Sequence, residues 1–342
     1  MAPRKNSFKP RIPRNKPKTG LTLRLKSNET VFAPVHVEHF KTGFDEKNLT
    51  FLRQLQSALT RFDEITISFK YTERLKAPAV LVVYSIIDTY GKGKKIDTIL
   101  SDRSEEVNES IRSSGAFKTA EERLKMLDEN QLPVIQGNNA IVNKLSRTII
   151  KTLVDLYLDK ESENFSSRKS EIGTAIIETL DNVGRHAYPD KDHHEKLWWF
   201  CCDIIDDTLF MAIYDNGVGI PHSIRNSKID FTKLMESYYS LTGKDITKLE
   251  PTVTANKAEF RDTYSDPVLI GAAMSEDLSK TTKDKHGKGS GSMKALIKEE
   301  EGSFLIIGSG KGMYTYSKCN REHERVIPLR NSITGTLIQW SL

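Results

Sequence analysis

The sequence is poor in cysteine and lacks the spacings in which cysteine usually stabilises a fold or binds a metal. Its 342 residues include three cysteines, of which Cys201 and Cys202 are adjacent and Cys319 is distant. A disulfide framework or a zinc site would need cysteines and histidines at short, repeated intervals. The sequence therefore predicts neither, and we expect all three cysteines to be reduced residues of the core.

Long apolar runs are missing as well. The longest apolar segment extends from Ala79 to Tyr84 and continues through Ile86 and Ile87. It is much shorter than the ~20 residues of a membrane-spanning helix. The N-terminal residues include Lys and Arg but no apolar stretch or small-residue cleavage site of a secretory signal. We therefore expect a cytoplasmic protein that does not associate with a membrane.

Acidic residues are absent from the first 28 positions. This segment carries nine Lys and Arg residues and four prolines, while the whole chain has a formal net charge of +5. The prolines prevent a continuous helix, so residues 1–28 are expected to form a disordered basic arm. Such an arm is either a solvated tail or a contact for nucleic acid or another polyanion, and a basic run alone does not decide between them.

The length of the chain favours two domains, because a single core seldom exceeds ~250–300 residues. We expect a small α/β domain over residues 29–130, a second domain over residues 140–342, and a polar connection over residues 118–139. The elements expected in the first domain are a strand at Thr66–Lys70, a helix or strand at Ala77–Tyr90, a strand at Ile96–Ser101, and a helix that Ser104 opens and Gly115 ends.

A helix in the second domain presents polar side chains at a regular interval. In the helix expected to begin near Glu171, Glu178, Asn182 and His186 recur every fourth residue, on a different face from the apolar stripe that starts at Ile172. A carboxylate can orient and deprotonate a water, and an amide oxygen one turn later can bind Mg²⁺. On an ordinary surface helix the same pair would only be solvated polarity.

Two glycine-rich segments follow this helix. The expected strand Leu209–Tyr214 ends in Asp215–Ile220, where glycines let the backbone approach a flat ligand and Asp215 can accept a hydrogen bond from an exocyclic amine. His286–Gly291 precedes a helix expected at Ser292–Glu300, and such a turn offers backbone N–H groups to phosphates. Its spacing is neither that of a Walker A loop nor that of a dinucleotide-binding turn.

In this order the segments resemble the four boxes of the GHKL, or Bergerat-fold, ATPases, which include gyrase-type topoisomerases, mismatch-repair ATPases, histidine kinases and anti-sigma serine kinases. The matching segments are Glu178–Ala187, Asp215–Gly219, Gly287–Gly291 and Gly335–Thr336, the last of which precedes a terminal strand at Leu337–Trp340. The resemblance spans about 200 residues. It implies a two-layer α+β sandwich that binds ATP and Mg²⁺.

The resemblance also implies roles for particular residues. Asn182 would bind Mg²⁺ and Glu178 would activate the attacking water. Asp215 would recognise the adenine amine with support from Thr336, and Lys288 would lie near the phosphates. The glycines expected to shape the pocket are Gly217, Gly219, Gly287, Gly289 and Gly291.

Two further segments carry weaker expectations. Residues 221–286 occupy the position of the family's ATP lid and are long for it, so we expect an additional contact surface there. Residues 60–117 loosely resemble STAS domains, which bind regulatory partners. Because Lys76–Ala79 stands where STAS switch proteins have a phosphorylatable Ser or Thr after an Asp, we expect no phosphorylation switch.

These features predict an ATPase or nucleotide-driven switch of a bacterial-type regulatory system that acts on a partner protein. The alternatives are a serine/threonine protein kinase of the anti-sigma type and a nucleotide sensor without hydrolysis. A histidine kinase is disfavoured, because neither His36 nor His39 begins a helical hairpin of the phosphoacceptor kind. The sequence leaves open whether the protein forms a homodimer.

Overall fold

The computed structural model describes residues 28–38, 46–205, 208–227, 234–235, 238, 264–275, 289–297, 302–319 and 323–342. The protein has a mixed α/β fold of the α+β type, as expected. The predicted basic arm lies outside the described residues except for its last position. Among the described residues, no helix is both long enough and apolar enough to cross a membrane.

The N-terminal part is built on a small parallel sheet. Its strands β1, β3 and β5 lie side by side in chain order, while the short strands β2 and β4 pair separately. The elements are β1 (Asn28–Phe32), β2 (His36–Val37), α1 (Glu46–Arg61), β3 (Glu64–Ser68), β4 (Arg74–Leu75), α2 (Ala77–Tyr90), β5 (Lys95–Ile99) and α3 (Glu105–Ser113). Helical connections between parallel strands explain this arrangement.

In this part the predicted cap of α3 is confirmed, and an element type that the sequence left open is resolved. Ser104 is the N-cap of α3, and its hydroxyl accepts a hydrogen bond from the Val107 N–H at 3.2 Å. The ambiguous segment Ala77–Tyr90 is a helix, as suits its 14 residues, because buried strands rarely reach that length. Most of its residues are buried, which explains why the helix shows no polar stripe in the sequence.

The polar stretch 118–139, which we expected to be a connection between domains, instead forms a helix and a strand. It contains α4 (Ala120–Asp128) and β6 (Ile135–Asn138). A capping box between Thr119 and Glu122 starts α4. The strand β6 forms the edge of the main sheet by pairing with β7, a partner that lies about 60 residues later in the chain. The polar composition of this stretch reflects an edge position and an exposed helix face.

The C-terminal part is built on a five-stranded antiparallel sheet in the order β6, β7, β8, β10, β9. The remaining strands are β7 (Leu197–Ile205), β8 (Thr208–Asp215), β9 (Phe304–Tyr316) and β10 (Glu324–Ser341). The helices are α5 (Val142–Tyr157), α6 (Phe165–Asn182), α7 (Ile220–Asn226), α8 (Asp266–Ala273) and α9 (Gly289–Ala295), with a π-helical turn at Val183–Ala187 and a 3₁₀ turn at His193–Glu195.

Both faces of this sheet are covered, and strand alternation determines which residues face which side. On β8, Met211 and Ile213 belong to the core that α5 and α6 complete, whereas Ala212 and Tyr214 belong to the core that α2 completes. The N-terminal part therefore packs through α2 on the back of the main sheet. The two predicted domains share an apolar interface along the strands.

A buried polar network crosses this interface. The Arg123 guanidinium on α4 forms an ion pair with Asp88 on α2, and the Trp199 indole on β7 donates to the same carboxylate at 2.8 Å. Arg123 also donates to the Val134 carbonyl at 2.6 Å and lies over the ring of Tyr84. Burial raises the pKa of Asp88, while the Arg123 charge opposes that rise.

The expectation for the cysteines is confirmed for two of the three. Cys201 and Cys202 are buried and reduced, one on each face of β7, and burial raises the pKa of both thiols. Cys319 is reduced but exposed, so its assignment to the core was wrong. It lies three residues beyond the end of β9, where the chain has left the sheet.

Candidate functional site

A buried carboxylate lies at the end of β8. Asp215 is only 4% exposed. It continues the row of β8 side chains that faces α6, because it follows Met211 and Ile213 at two-residue intervals. Its Oδ1 accepts a hydrogen bond from the Gly217 N–H at 2.9 Å.

Thr336 supports this carboxylate from the neighbouring strand. It is the register partner of Asp215 on β10, and both its backbone N–H and its hydroxyl donate to the Asp215 carboxylate. Burial nevertheless raises the pKa of Asp215 to about 7, against the lowering effect of these hydrogen bonds. A buried carboxyl group that titrates near neutral pH is typical of binding and catalytic sites.

Three glycines stand where the surrounding segments approach too closely for any side chain. A Cβ on Gly217 would lie 2.2 Å from the Ala187 carbonyl oxygen. A Cβ on Gly335 would lie 1.9 Å from the carbonyl oxygen of Asp215, and Gly335 also has a φ of +71°. Gly219 has a φ of +80° and would place a Cβ 2.6 Å from the Ser309 hydroxyl. The three segments therefore meet backbone to backbone.

Hydrogen bonds fix this junction. The Val218 N–H donates to the Ala187 carbonyl at 2.8 Å. The Ser309 hydroxyl on β9 donates to the Gly335 carbonyl at 2.7 Å and accepts from the Ile220 N–H at 3.0 Å. The loop after β8, the bulge that residues 334–335 form in β10 and the end of the π-helical turn are thus connected to one another.

The helix α6 delivers Glu178 and Asn182 toward this junction. Asn182 is the last residue of α6, and the π-helical turn that follows it ends at Ala187, which contacts Gly217 and Val218. Glu178 lies one turn earlier, and both side chains are half-buried. A π-helical turn inserted into a helix is frequent at functional sites. The structure therefore connects the first, second and fourth predicted boxes.

Two observations bear on whether these residues fit a magnesium nucleotide. The Thr179 hydroxyl, next to Glu178, is buried and has no hydrogen-bond partner within the described part of the chain, whereas buried hydroxyls normally have one. Three or more His, Cys, Asp and Glu side chains do not cluster as metal ligands anywhere in the described residues. Mg²⁺ in nucleotide sites is commonly held by one or two protein oxygens and by phosphates, so Asn182 suits this role.

The third predicted box is described only in part. Gly289 and Gly291 lie at the start of α9, which packs against α6. A Cβ on Gly291 would meet no atom within 4 Å, so the described chain does not require glycine at that position. Gly287 and Lys288 lie outside the described residues. The helix expected at Ser292–Glu300 begins three residues earlier, at Gly289, and ends at Ala295.

The predicted lid segment, 221–286, is described at its two ends. The helix α7 follows the loop after Asp215, and α8 lies near the C-terminal end of the segment. The Asp266 carboxylate connects them, because it pairs with Arg225 on α7 at 2.8 Å and accepts from the Lys311 N–H at 2.7 Å. Ile224 and Leu269 share a small apolar cluster beside these helices. The segments 228–233, 239–263 and 276–286 lie outside the described residues.

Sequence reasoning missed two residues that hold the junction. The Tyr188 hydroxyl donates to the Leu197 carbonyl at 2.7 Å, contacts the Asn216 side chain and accepts from the Asn216 N–H at 3.1 Å. Its position directly after the first box was the one available signal. Ser309 had no signal, because its partners lie 26 and 89 residues away.

In comparisons with known proteins, no protein-family model matches the chain and no curated protein matches it. The candidate site is therefore supported by its geometry and by the motif resemblance.

Proposed function

We propose that the protein binds Mg-ATP at the junction of α6, the loop after β8 and the bulge of β10 before Thr336, and acts as an ATPase or nucleotide-driven switch on a partner protein. The observation that carries the proposal is Asp215. Asp215 is a buried carboxylate that accepts hydrogen bonds from Gly217 and Thr336. Around it, glycines leave the backbone uncovered by side chains.

The residues have separate roles in this proposal. Asp215 accepts a hydrogen bond from the adenine amine. The Thr179 hydroxyl, which has no partner among the described residues, is available for a further hydrogen bond to the nucleotide. Asn182 supplies an amide oxygen to Mg²⁺, an ion that neutralises phosphate charge when it is bound. Glu178 orients a water and takes its proton. Gly289 and Gly291 begin a helix that packs on α6, which suits a segment near the phosphates.

The base preference of the site tests the proposal. Isothermal titration calorimetry should show saturable ATP binding at pH 8, where the Asp215 carboxylate is ionised. GTP should bind about 10–100-fold more weakly, because it presents a carbonyl oxygen where ATP presents an amine and a hydrogen bond to a charged group contributes about 1.5–3 kcal/mol. Asp215→Asn should reduce this preference. Equal affinity of the wild type for the two nucleotides, or no binding of either, would overturn the proposal.

The fate of the γ-phosphate separates the three modes of action. Phosphate release by the purified protein alone indicates an ATPase. Transfer of radiolabel from ATP only to a second protein indicates a kinase of the anti-sigma type. Binding with neither outcome indicates a nucleotide sensor.

A further inference from the structure

Tyr214 and Asp215 are neighbours on β8 and face opposite sides of the main sheet. Asp215 points to the candidate site, whereas Tyr214 belongs to the core formed with the N-terminal part. Tyr214 is 3% exposed, and its ring centroid lies 6.0 Å from that of Trp199. A residue on the back of the sheet is thus one peptide bond from the proposed adenine contact.

The Tyr214 hydroxyl reaches the bulge of β10 that precedes Thr336. It donates a hydrogen bond to the Thr334 carbonyl at 3.0 Å, and the next two residues of β10 are Gly335 and Thr336. Burial raises the pKa of Tyr214 well above its ordinary value, with the Asp215 charge adding to the rise, so the hydroxyl keeps its proton at neutral pH.

Two neighbouring strands therefore hold consecutive carbonyl groups of this bulge. Tyr214 on β8 donates to the Thr334 carbonyl, and Ser309 on β9 donates to the Gly335 carbonyl. Thr336, which follows, donates twice to Asp215. A shift of the bulge would change the hydrogen bonds to the carboxylate directly.

The N-terminal part contacts this arrangement through α2. The Ser85 hydroxyl on α2 has one hydrogen and two acceptors within reach, the Tyr214 oxygen and, at 2.8 Å, the Val82 carbonyl. The position of α2 on the sheet therefore affects the hydrogen bonding of the Tyr214 hydroxyl.

We propose that Tyr214 is a positioning residue for nucleotide recognition, and that Ser85 makes ATP affinity depend on how the N-terminal part docks on the sheet. This inference rests on the proposed ATP binding at Asp215. Tyr214 holds the bulge of β10 through the Thr334 carbonyl, the bulge presents Thr336 to Asp215, and Asp215 contacts the base.

Calorimetric ATP titration of Tyr214→Phe tests the proposal, because the substitution removes only the hydroxyl. We expect a loss of about fivefold in ATP affinity, since a neutral hydrogen bond contributes about 1 kcal/mol. Tyr84→Phe is the matched control. It removes a buried hydroxyl that bonds to Ser114 and to the Phe117 N–H, away from the site. Ser85→Ala should weaken ATP binding in the same direction, by a smaller factor.

Hydrogen–deuterium exchange without nucleotide separates failure of this inference from failure of the proposed function. Tyr214→Phe should speed exchange at the amides of Gly217 and Thr336, and Tyr84→Phe should not. If the wild type does not bind ATP, the proposed function fails, and faster exchange at these amides still supports the positioning role. Unchanged exchange at both amides overturns the positioning role, as does an affinity loss no larger than that of the Tyr84→Phe control.

Discussion

At the scale of single residues, the account depends on two carboxylates in different surroundings. Glu178 is half-buried near the end of α6, where it can meet both water and ligand. Asp215 is buried and held by three hydrogen-bond donors. In the proposed site these surroundings suit different tasks, since Glu178 would orient the attacking water and Asp215 would accept a hydrogen bond from the adenine amine.

Glu178→Gln should separate chemistry from binding. The substitution keeps the size and helix preference of the side chain but removes its basicity, so kcat for ATP hydrolysis should fall by about 10²–10⁴-fold while ATP affinity barely changes. Steady-state phosphate release and calorimetric titration measure the two effects. Glu171→Gln, two turns earlier on α6, is the matched control and should leave both unchanged. Equal turnover in Glu178→Gln and the wild type would remove Glu178 from the mechanism.

Asp215 should make the stability of the protein depend on pH. Its pKa is about 7 in the folded protein and 3.8 ordinarily, so between these values the folded state keeps a proton that the unfolded state has lost. The resulting stabilisation is complete below about pH 4 and is lost as pH rises to 7. Relative to Asp215→Asn, the wild type should lose about 1.4 kcal/mol of unfolding free energy per pH unit between pH 5 and 7. The measurement is urea denaturation of both proteins at several pH values. A difference in unfolding free energy between them that stays constant from pH 5 to 7 would contradict the assigned pKa.

At the scale of elements, local signals were predictable and distant pairings were not. The Ser104 cap of α3 could be predicted, because the cap and its partner are three residues apart. The spacing of Glu178 and Asn182 also placed both on one helix. The strand β6 was missed because β7, its partner, is far along the chain. Cys319 was misassigned because residue type alone does not show that the chain has left the sheet.

The bulge of β10 before Thr336 should tolerate no side chain at Gly335. Gly335→Ala would place a Cβ 1.9 Å from the Asp215 carbonyl oxygen at a φ of +71°, so both strain and overlap oppose it. Gly93→Ala is the matched control, since Gly93 has a φ of +77° with open space around it and should cost about 1–2 kcal/mol from strain alone. We expect Gly335→Ala to lower the denaturation midpoint further than this control and to abolish ATP binding. Similar denaturation midpoints for Gly335→Ala and Gly93→Ala, with ATP binding retained in Gly335→Ala, would contradict the close approach of Gly335 to Asp215.

At the scale of the whole molecule, the N-terminal part and the main sheet share an apolar core, and a buried ion pair lies beside it. The boundary expected between two domains instead contains α4, whose Arg123 reaches Asp88 on α2, and β6. The composition of residues 118–139 could not reveal this, because Asp88, the counterion of Arg123, lies on α2 and outside this stretch. A displacement of α2 would therefore change the packing against the sheet that carries Asp215.

Asp88→Asn should destabilise the whole chain. It leaves the buried Arg123 charge without its counterion, and breaking a buried pair in this way typically costs about 3–5 kcal/mol. Denaturant unfolding followed by circular dichroism measures the loss. Asp181→Asn breaks the exposed pair with Arg185 and should have little effect. Equal effects of the two substitutions would show that the buried network does not stabilise the interface.

The central claim, that the residues at the end of α6 and β8 form a Mg-ATP site, is tested most directly by ATP titration calorimetry of Asn182→Ala with Mg²⁺ and with a chelator. The control is Asn164→Ala at the other end of α6, where the exposed asparagine makes no side-chain cap. The account predicts that Mg²⁺ strengthens ATP binding by the wild type and by Asn164→Ala, and that Asn182→Ala loses most of this gain because the amide oxygen that binds the metal is gone. Equal Mg-ATP affinity in Asn182→Ala and the wild type would contradict it.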